Sequence, residues 1–199
     1  MGFYSHEELA SLGLKSFGRN VLISRKSSLY NAGGIELGDD VRIDDFCVLS
    51  AGAGGIAIGS FIHLAVYSCL IGAGRITLHD YSTISSRVSI YSSNDDYSGE
   101  HLISPMVPAE FTGVTSLPVT IGRHVIVGSG SVILPGVTIG EGAAIGALSV
   151  VRKDCEGFMI YSGNPLKPLR SRSRQLLDLE LLHRKAAATT NAQGPEGAG

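Results

Sequence analysis

The chain repeats an aliphatic residue every six positions in its C-terminal half. Between residues 121 and 151 these positions are Ile121, Val127, Ile133, Ile139, Ile145 and Val151. Glycine directly follows four of the six, and the fifth position of each hexad is small or β-branched. An amphipathic helix would repeat about every 3.6 residues and a half-buried strand every two. A period of six therefore predicts short strands separated by turns, three of which make one coil of a parallel β-helix.

The same period occurs earlier in the chain, with insertions between some of the hexads. The matching residues are Leu37, Ile43, Leu49, Ile58, Leu64, Leu70, Leu78, Ile84 and Ile90. We expect each of them to point inward and to stack on its counterpart one coil away. The sequence thus predicts an all-β fold, with a parallel β-helix of about five coils over residues 35–155.

The segments outside the repeat predict the remaining parts of the chain. Residues 1–34 form an N-terminal extension, whose helix starts at a capping box, Ser5 to Glu8, and stops near Gly13. Residues 91–118 interrupt the repeat and predict a protruding loop. A leucine-rich C-terminal segment, 156–185, predicts a helix beginning after Pro168, and residues 186–199 predict a disordered tail.

Composition excludes several classes of protein. Sixteen Lys and Arg against eighteen Asp and Glu give a net charge of −2, which argues against nucleic acid or an anionic membrane as the main partner. The sequence contains neither an apolar run long enough for a transmembrane helix nor a secretory signal, so we expect no membrane span. Cys47, Cys69 and Cys155 are odd in number and widely spaced. They indicate reduced thiols in a cytoplasmic protein.

The segment from Pro118 to Arg170 resembles the C-terminal half of the hexapeptide-repeat acyltransferases. The likeness rests on VGSGSV (127–132), IGALSV (145–150), VRKD (151–154) and NPLKPLR (164–170), and it covers roughly residues 35–172. Within that superfamily the chain is most similar to the galactoside/maltose acetyltransferase-like and polysaccharide-biosynthesis sugar acetyltransferases. The resemblance implies a left-handed β-helix, acetyl-CoA as the acyl donor and a sugar or nucleotide-linked sugar as the acceptor. It also implies a homotrimer whose active sites lie between neighbouring subunits.

The resemblance further implies which residues bind the acyl donor. They are Ser129, Ala147, Arg152, Lys153, Lys167 and Arg170. Eight of the sixteen Lys and Arg lie within residues 152–185, which suits the pyrophosphate and 3′-phosphate of CoA. The family usually has Thr where this chain has Arg152, so we assign the larger role to Lys153.

Acyl transfer from a thioester also requires a base for the attacking group. In many sugar O-acetyltransferases of the family a loop histidine is that base, but the matching place here holds Asn94, Asp95 and Asp96. Relatives that acylate amino groups of nucleotide-linked sugars carry an Asn-Asp pair there. Asn94 and Asp95 are therefore our first candidates, and they favour an amino over a hydroxyl acceptor. His101 and His63 are the reserve candidates for the base.

Two alternative functions stay open at this point. One is a metal-dependent, carbonic anhydrase-like β-helix protein, and the other is a non-catalytic scaffold of the same fold. His63, His79 and His124 fall at three different phases of their hexads, so they do not line up on one face of a subunit. We therefore expect no metal site.

Overall fold

The computed structural model describes residues 2–192 of the chain. Its helices are α1 (His6–Ser11) and α2 (Gln175–Ala192), and single 3₁₀ turns lie at Ala32–Gly34 and Ala109–Phe111. The strands are β1 (Leu22–Ile23), β2 (Ser28–Tyr30), β3 (Ile35–Leu37), β4 (Val41–Ile43), β5 (Val48–Ala51), β6 (Ile56–Ile58), β7 (Ile62–Leu64), β8 (Cys69–Gly72), β9 (Ile76–Leu78), β10 (Thr83–Ile84), β11 (Ser89–Tyr91), β12 (Ser93–Asn94), β13 (Thr115–Ser116), β14 (Val119–Ile121), β15 (Ile126–Val127), β16 (Val132–Ile133), β17 (Thr138–Ile139), β18 (Ala144–Ile145), β19 (Val150–Val151), β20 (Met159–Ser162) and β21 (Lys167–Ser171).

All of these strands except β12 and β13, which form a separate two-stranded sheet, belong to three sheets that the chain visits in turn. Sheet I has the order β1-β4-β7-β10-β15-β18-β20-β21, sheet II the order β2-β5-β8-β11-β16-β19, and sheet III the order β3-β6-β9-β14-β17. Apart from the antiparallel pair β20–β21, the strands of each sheet pair in parallel with those one coil away. The predicted parallel β-helix is therefore confirmed. Because sheet I contains seven parallel strands, the solenoid has about seven coils where the sequence predicted about five.

The core is a set of inward-pointing aliphatic ladders. Ile84, Val127 and Ile145 lie in register on adjacent strands of sheet I and are almost completely buried. The small or β-branched residues at the fifth positions of the hexads between 121 and 151 are also buried. Among them, the Ser131 and Ser149 hydroxyls both donate to the carbonyl of Gly146, at 3.1 and 2.7 Å. Such local hydrogen bonds satisfy polar groups inside a narrow apolar interior.

The β-helix begins earlier than predicted. Strands β1 and β2 lie within residues 1–34 and pair with β4 and β5, so this segment supplies the first coil as well as helix α1. Ile23 and Leu29 are six residues apart, but Leu37, which occupies the corresponding ladder position in β3, follows eight residues later. The longer turn hides the period. The capping box at Ser5 and Glu8 is formed as predicted.

The C-terminal helix begins later and ends later than predicted. Residues 167–171 form β21, which pairs antiparallel with β20, so the helix starts at Gln175 and not after Pro168. Strand β20 ends the parallel ladder of sheet I, and its free backbone groups favour pairing over a helix. Helix α2 continues to Ala192, beyond the predicted boundary at 185, and residues 193–199 of the predicted tail lie outside the described residues.

The bends between sheets use residues in the left-handed backbone region. At the corner between sheets I and II these residues are Phe46, Tyr67, Arg87, Gly130 and Leu148; at the corner between sheets III and I they include Phe61, Tyr81 and His124. We call these corner I/II and corner III/I. The segment 91–118 leaves the solenoid at the third corner, II/III, where β12 and β13 pair antiparallel at its base.

Candidate active site

Asn94 and Asp95 lie where the loop leaves corner II/III. Asn94 belongs to β12 and faces Thr115 of β13, which fixes its backbone, and its side chain is half-buried. Asp95 is exposed, and no described residue donates a hydrogen bond to its carboxylate. The structure thus presents Asp95 as a carboxylate that is free to accept a proton from a ligand.

The neighbouring Asp96 is committed to the loop itself. Its carboxylate accepts hydrogen bonds from the Ser98 backbone N–H at 2.9 Å and hydroxyl at 2.7 Å, and from the backbone N–H groups of Gly99 and His101. These donors, Ser98 first, hold the pKa of Asp96 well below its usual range. A carboxylate held in this way stays ionised and is a poor proton acceptor. The two adjacent aspartates are therefore chemically different.

His101, the first reserve candidate, is also held within the loop. Its Nδ1 lies 3.8 Å from the Asp96 carboxylate, and its ring packs against Gly113, where a Cβ would come within 2.6 Å of the ring nitrogen. These contacts give His101 a structural role, in which it shapes the loop.

His63, the second reserve candidate, lies on the outer face of sheet I between Arg42 and Thr83. Its Nε2 is 2.8 Å from Oδ2 of the buried Asp44, whose other oxygen accepts from Nε of Arg42 at 2.7 Å. Burial alone would raise the pKa of Asp44, but these two hydrogen bonds outweigh it and leave the pKa lowered. A carboxylate that orients an imidazole is a common arrangement in general bases. Within one chain, however, His63 and Asp95 lie on different sides of the solenoid.

Ser129 and Ala147, predicted to bind the acyl donor, are neighbours at corner I/II. The N–H of Leu148 donates to the carbonyl of Ser129 at 2.9 Å, which joins the two coils. Both residues are exposed. A Cβ on Gly128 would lie 2.5 Å from the backbone nitrogen of Ala147, so the coils are in close contact here. The result is an edge where two small side chains lie beside the exposed Leu148 and along which an extended ligand can lie.

Arg152 and Lys153 lie at corner II/III, beyond β19. Together with Tyr161, Leu166 and Pro168 they line a cavity of about 310 Å³. Lys167 begins β21, and Arg170 faces Ile160 in the same antiparallel pair. The structure therefore brings Arg152 and Lys153 together with the segment that carries Lys167. It places Ser129 and Ala147 at the opposite edge of sheet II.

Two further observations concern sites of other kinds. Among residues 2–192 no group of three or more His, Cys, Asp or Glu side chains is arranged to hold a metal ion. No helix within the same range is both long enough and apolar enough to cross a membrane.

Comparison with known proteins decides the family. The bacterial transferase hexapeptide model (six repeats) matches residues 118–153. A dTDP-4-amino-4,6-dideoxy-D-glucose acyltransferase of Escherichia coli is 53% identical over 191 residues, which cover 96% of this chain and 100% of that relative. The chain belongs to the hexapeptide-repeat acyltransferases.

A solved structure extends the likeness to the whole fold of this acyltransferase. AntD, an N-acyltransferase from Bacillus cereus, has a TM-score of 0.89 and 43% identity over 92% of this chain and 97% of its own. That AntD structure contains dTDP-4-amino-4,6-dideoxyglucose and coenzyme A. The galactoside O-acetyltransferase of Escherichia coli is 39% identical over 92 residues, which cover 38% of this chain and 45% of that relative. The predicted superfamily, the left-handed β-helix and the acyltransferase activity are all confirmed.

Sequence reasoning missed the partner of His63. Asp44 lies nineteen residues before it, and the coils here are about twenty residues long: Arg42, His63 and Thr83 lie side by side on successive strands. In a β-helix, residues one coil length apart are neighbours. That spacing is the signal that could have found Asp44.

Proposed function

We propose that this acyltransferase transfers an acyl group from a CoA thioester to the 4-amino group of dTDP-4-amino-4,6-dideoxyglucose. The carrying observation is the 53% identity, over the entire length of the relative, to an acyltransferase of that nucleotide sugar. AntD, which is bound to the same amino sugar nucleotide and to coenzyme A, supports the same pair of substrates. Asn94 and Asp95, in place of a loop histidine, agree with an amine as the acceptor.

We assign the role of base to Asp95. Solved AntD variants replace a serine and an aspartate that lie ten residues apart. In this chain the pairs Ser85–Asp95 and Ser86–Asp96 have that spacing. Since Asp96 already accepts hydrogen bonds from its own loop, the free carboxylate of Asp95 is the better match. This choice also brings Ser85, at the start of corner I/II, into the proposed site.

The chemistry follows from these roles. The sugar ammonium loses a proton to Asp95, and the neutral amine attacks the thioester carbonyl, so that a C–N bond forms. Collapse of the tetrahedral intermediate breaks the C–S bond, and the proton lost by the acylated nitrogen passes to the leaving thiolate, so that CoA is released as a thiol. A carboxylate suffices here because a protonated amine of ordinary pKa gives up its proton far more readily than a sugar hydroxyl does.

We assign CoA binding to both edges of sheet II. Arg152, Lys153, Lys167 and Arg170 supply the cations for the phosphates, and the cavity beside Lys153 offers space for one end of the cofactor. The edge at Ser129 and Ala147 suits the pantetheine arm, whose apolar part can contact the exposed Leu148. Acetyl-CoA is the simplest donor for this site.

We further propose a cytoplasmic homotrimer with each active site between two subunits. Asp95 lies at corner II/III, whereas Ser129 and Ala147 lie at corner I/II. Within one subunit, the two parts of the proposed site therefore lie at opposite edges of sheet II. The loop also exposes large apolar side chains, with Tyr97 and Met106 each 89% exposed. Apolar side chains exposed to this degree favour contact with another copy of the chain. The three free cysteines are consistent with a reducing compartment.

Product analysis tests the proposed function. The enzyme is incubated with acetyl-CoA and either dTDP-4-amino-4,6-dideoxyglucose or the matched nucleotide sugar with a 4-hydroxyl group. Mass spectrometry should show one added acetyl group on the amino sugar only, with one equivalent of CoA thiol released. Acetylation of the hydroxyl compound without acetylation of the amine would overturn the proposal.

A further inference from the structure

Four side chains at corner I/II form a ladder along the first coils of the solenoid. The rings of Phe46 and Tyr67 stack with 5.0 Å between centroids and 14° between planes. Lys26 Nζ lies 5.5 Å from the Phe46 centroid, and the Arg87 guanidinium carbon lies 5.8 Å from the Tyr67 centroid. We call Lys26, Phe46, Tyr67 and Arg87 the aromatic ladder.

The ladder combines strained backbone with exposed rings. Phe46, Tyr67 and Arg87 have φ values of 62°, 63° and 60°, a region that bulky side chains seldom adopt. Yet Phe46 is 45% and Tyr67 52% exposed, so burial within the chain does not compensate for the strain. Since the other bends of the solenoid use the same backbone conformation, the exposure of the rings is what sets these turns apart.

The charges of the ladder favour an anionic ligand. Lys26 lies 3.4 Å from the carboxylate of Asp45. Among the described residues no carboxylate lies within ion-pair distance of Arg87. An exposed guanidinium whose charge is not paired suits a phosphate, which it can bind through two parallel hydrogen bonds.

The position of the ladder indicates which anion it is. Gly130 N–H donates to the Ser86 carbonyl at 3.0 Å, so the coil of Arg87 lies directly beside the coil of Ser129. Neighbouring strands of a sheet are about 4.8 Å apart. The proposed pantetheine edge, Ser129 and Ala147, therefore continues without a break into the ladder, and Ser85 lies at the junction. A donor lying along the later coils would meet an acceptor lying along the earlier ones.

We propose that the aromatic ladder binds the nucleotide half of the acceptor. Arg87 contacts the diphosphate, and the outward edges of Tyr67 and Phe46 contact the face of the pyrimidine base, as in edge-to-face aromatic pairs. This inference rests on the proposed function, because it assumes a nucleoside diphosphate sugar as the acceptor. It adds the residues that distinguish such an acceptor from a free sugar.

Substitution by asparagine tests the ladder, because asparagine tolerates the left-handed backbone and should leave the turns folded. Binding of dTDP and of CoA is measured separately by calorimetric titration for Arg87→Asn and Tyr67→Asn. Each change should weaken dTDP binding roughly tenfold or more and leave CoA binding within about twofold. Arg19→Asn, which removes an equally charged, exposed side chain near corner III/I, is the matched control and should change neither.

Steady-state kinetics provide the second readout. Arg87→Asn should raise KM for the dTDP-amino sugar with little change in kcat, and Arg87→Lys should recover part of the loss. The inference is wrong if both asparagine variants bind dTDP as wild type does. It is also wrong if light scattering shows that they dissociate the oligomer, since the ladder would then be a subunit contact. If wild type neither binds dTDP nor acylates the amino sugar, the proposed function itself is wrong.

Discussion

At corner III/I, the rings of Phe61, Tyr81 and His124 stack one coil above another much as Phe46 and Tyr67 do at corner I/II. The centroid distances are 4.6 Å for Phe61–Tyr81 and 5.1 Å for Tyr81–His124. These residues are also in the left-handed region. The difference is that helix α2 covers this stack, with His183 Nδ1 lying 3.1 Å from the Tyr81 hydroxyl.

A buried carboxylate anchors α2 to corner III/I. Glu180 accepts hydrogen bonds from Nε2 of His124 at 2.5 Å and from Nε of Arg184 at 2.7 Å, and it is also paired with Arg123. Burial alone would raise the pKa of Glu180, but the hydrogen bonds from His124 and Arg184 outweigh it and leave the pKa lowered. Corner I/II has no such cover among the described residues.

The same turn geometry therefore serves two purposes in this molecule. Stacked aromatic residues close the bends at both corners. Where helix α2 covers the stack, the stack becomes part of the structure. Where no described segment covers it, the rings and Arg87 remain accessible to a ligand. Changes on the exposed side should therefore alter activity and binding, and changes on the covered side should alter stability.

The largest effect should come from Asp95. Asp95→Asn should lower kcat by roughly 10²–10⁴-fold, because it removes a positioned proton acceptor. CoA affinity and thermal unfolding should not change, since the Asp95 carboxylate has no partner among residues 2–192. Asp96→Asn is the matched comparison, and it should act mainly by loosening the loop. Full activity of Asp95→Asn, together with loss of activity in His63→Ala or His101→Ala, would identify a histidine base and favour a hydroxyl acceptor.

Lys153→Ala should have the next largest effect, on the donor. Losing a charge-assisted phosphate contact should weaken CoA binding by roughly 1–3 kcal/mol. Titration with CoA and with 3′-dephospho-CoA shows which phosphate Lys153 contacts, while dTDP affinity should stay constant. Unchanged affinity for both CoA forms would remove Lys153 from the donor site.

Glu180→Gln tests whether a change at corner III/I affects stability without affecting binding at corner I/II. It leaves Arg123, His124 and Arg184 without their shared carboxylate, so the free energy of unfolding should fall by roughly 1–3 kcal/mol in urea titrations. Glu141→Gln changes an exposed residue in the turn between β17 and β18 and should cost little. Binding of dTDP should be the same in both variants. If Glu180→Gln weakens dTDP binding as strongly as Arg87→Asn does, the corners are not independent.

The smallest effect should be an acid-dependent loosening of α2. Because the folded pKa of Glu180 lies below its ordinary value of 4.5, the interaction is fully present above that value. It is lost as pH falls through the lower, folded value. Amide hydrogen exchange in α2 should therefore accelerate below about pH 4.5 in wild type. Glu180→Gln should show fast exchange at every pH. If exchange in wild-type α2 does not depend on pH, the ionised Glu180 carboxylate is not what anchors the helix.

The sequence predicted the parts of the fold in which the six-residue period is regular. From Ile121 to Val151 no insertion interrupts the hexads, and every predicted inward residue is buried. Longer turns at corner II/III interrupt the six-residue period, so the pattern did not predict the first coil. Ala53, at the fifth position of the hexad that begins at Leu49, is exposed because it lies in one of those turns. The leucines of α2 predicted a helix but not its start. Backbone pairing with β20 keeps residues 167–171 in strand β21, so the helix can begin only after that strand.

The candidate site was predictable only where short motifs carry it. Asn94, Asp95 and Lys153 belong to such motifs, whereas the pairs Asp44–His63 and His124–Glu180 join residues nineteen and fifty-six positions apart. Phe46, Tyr67 and Arg87 of the aromatic ladder could not be predicted from a short motif either. Each residue occupies an ordinary turn in the sequence, and only the stacking of coils brings the three together.

A crystal structure of the enzyme with dTDP and CoA bound is the most direct test of this account. We predict that the Arg87 guanidinium lies about 2.7–2.9 Å from a diphosphate oxygen, with the base against Tyr67 and Phe46. The pantetheine arm should pass Ser129 and Ala147, and corner III/I should stay covered by α2. A nucleotide bound elsewhere on the solenoid, with the aromatic ladder left open to solvent, would contradict it.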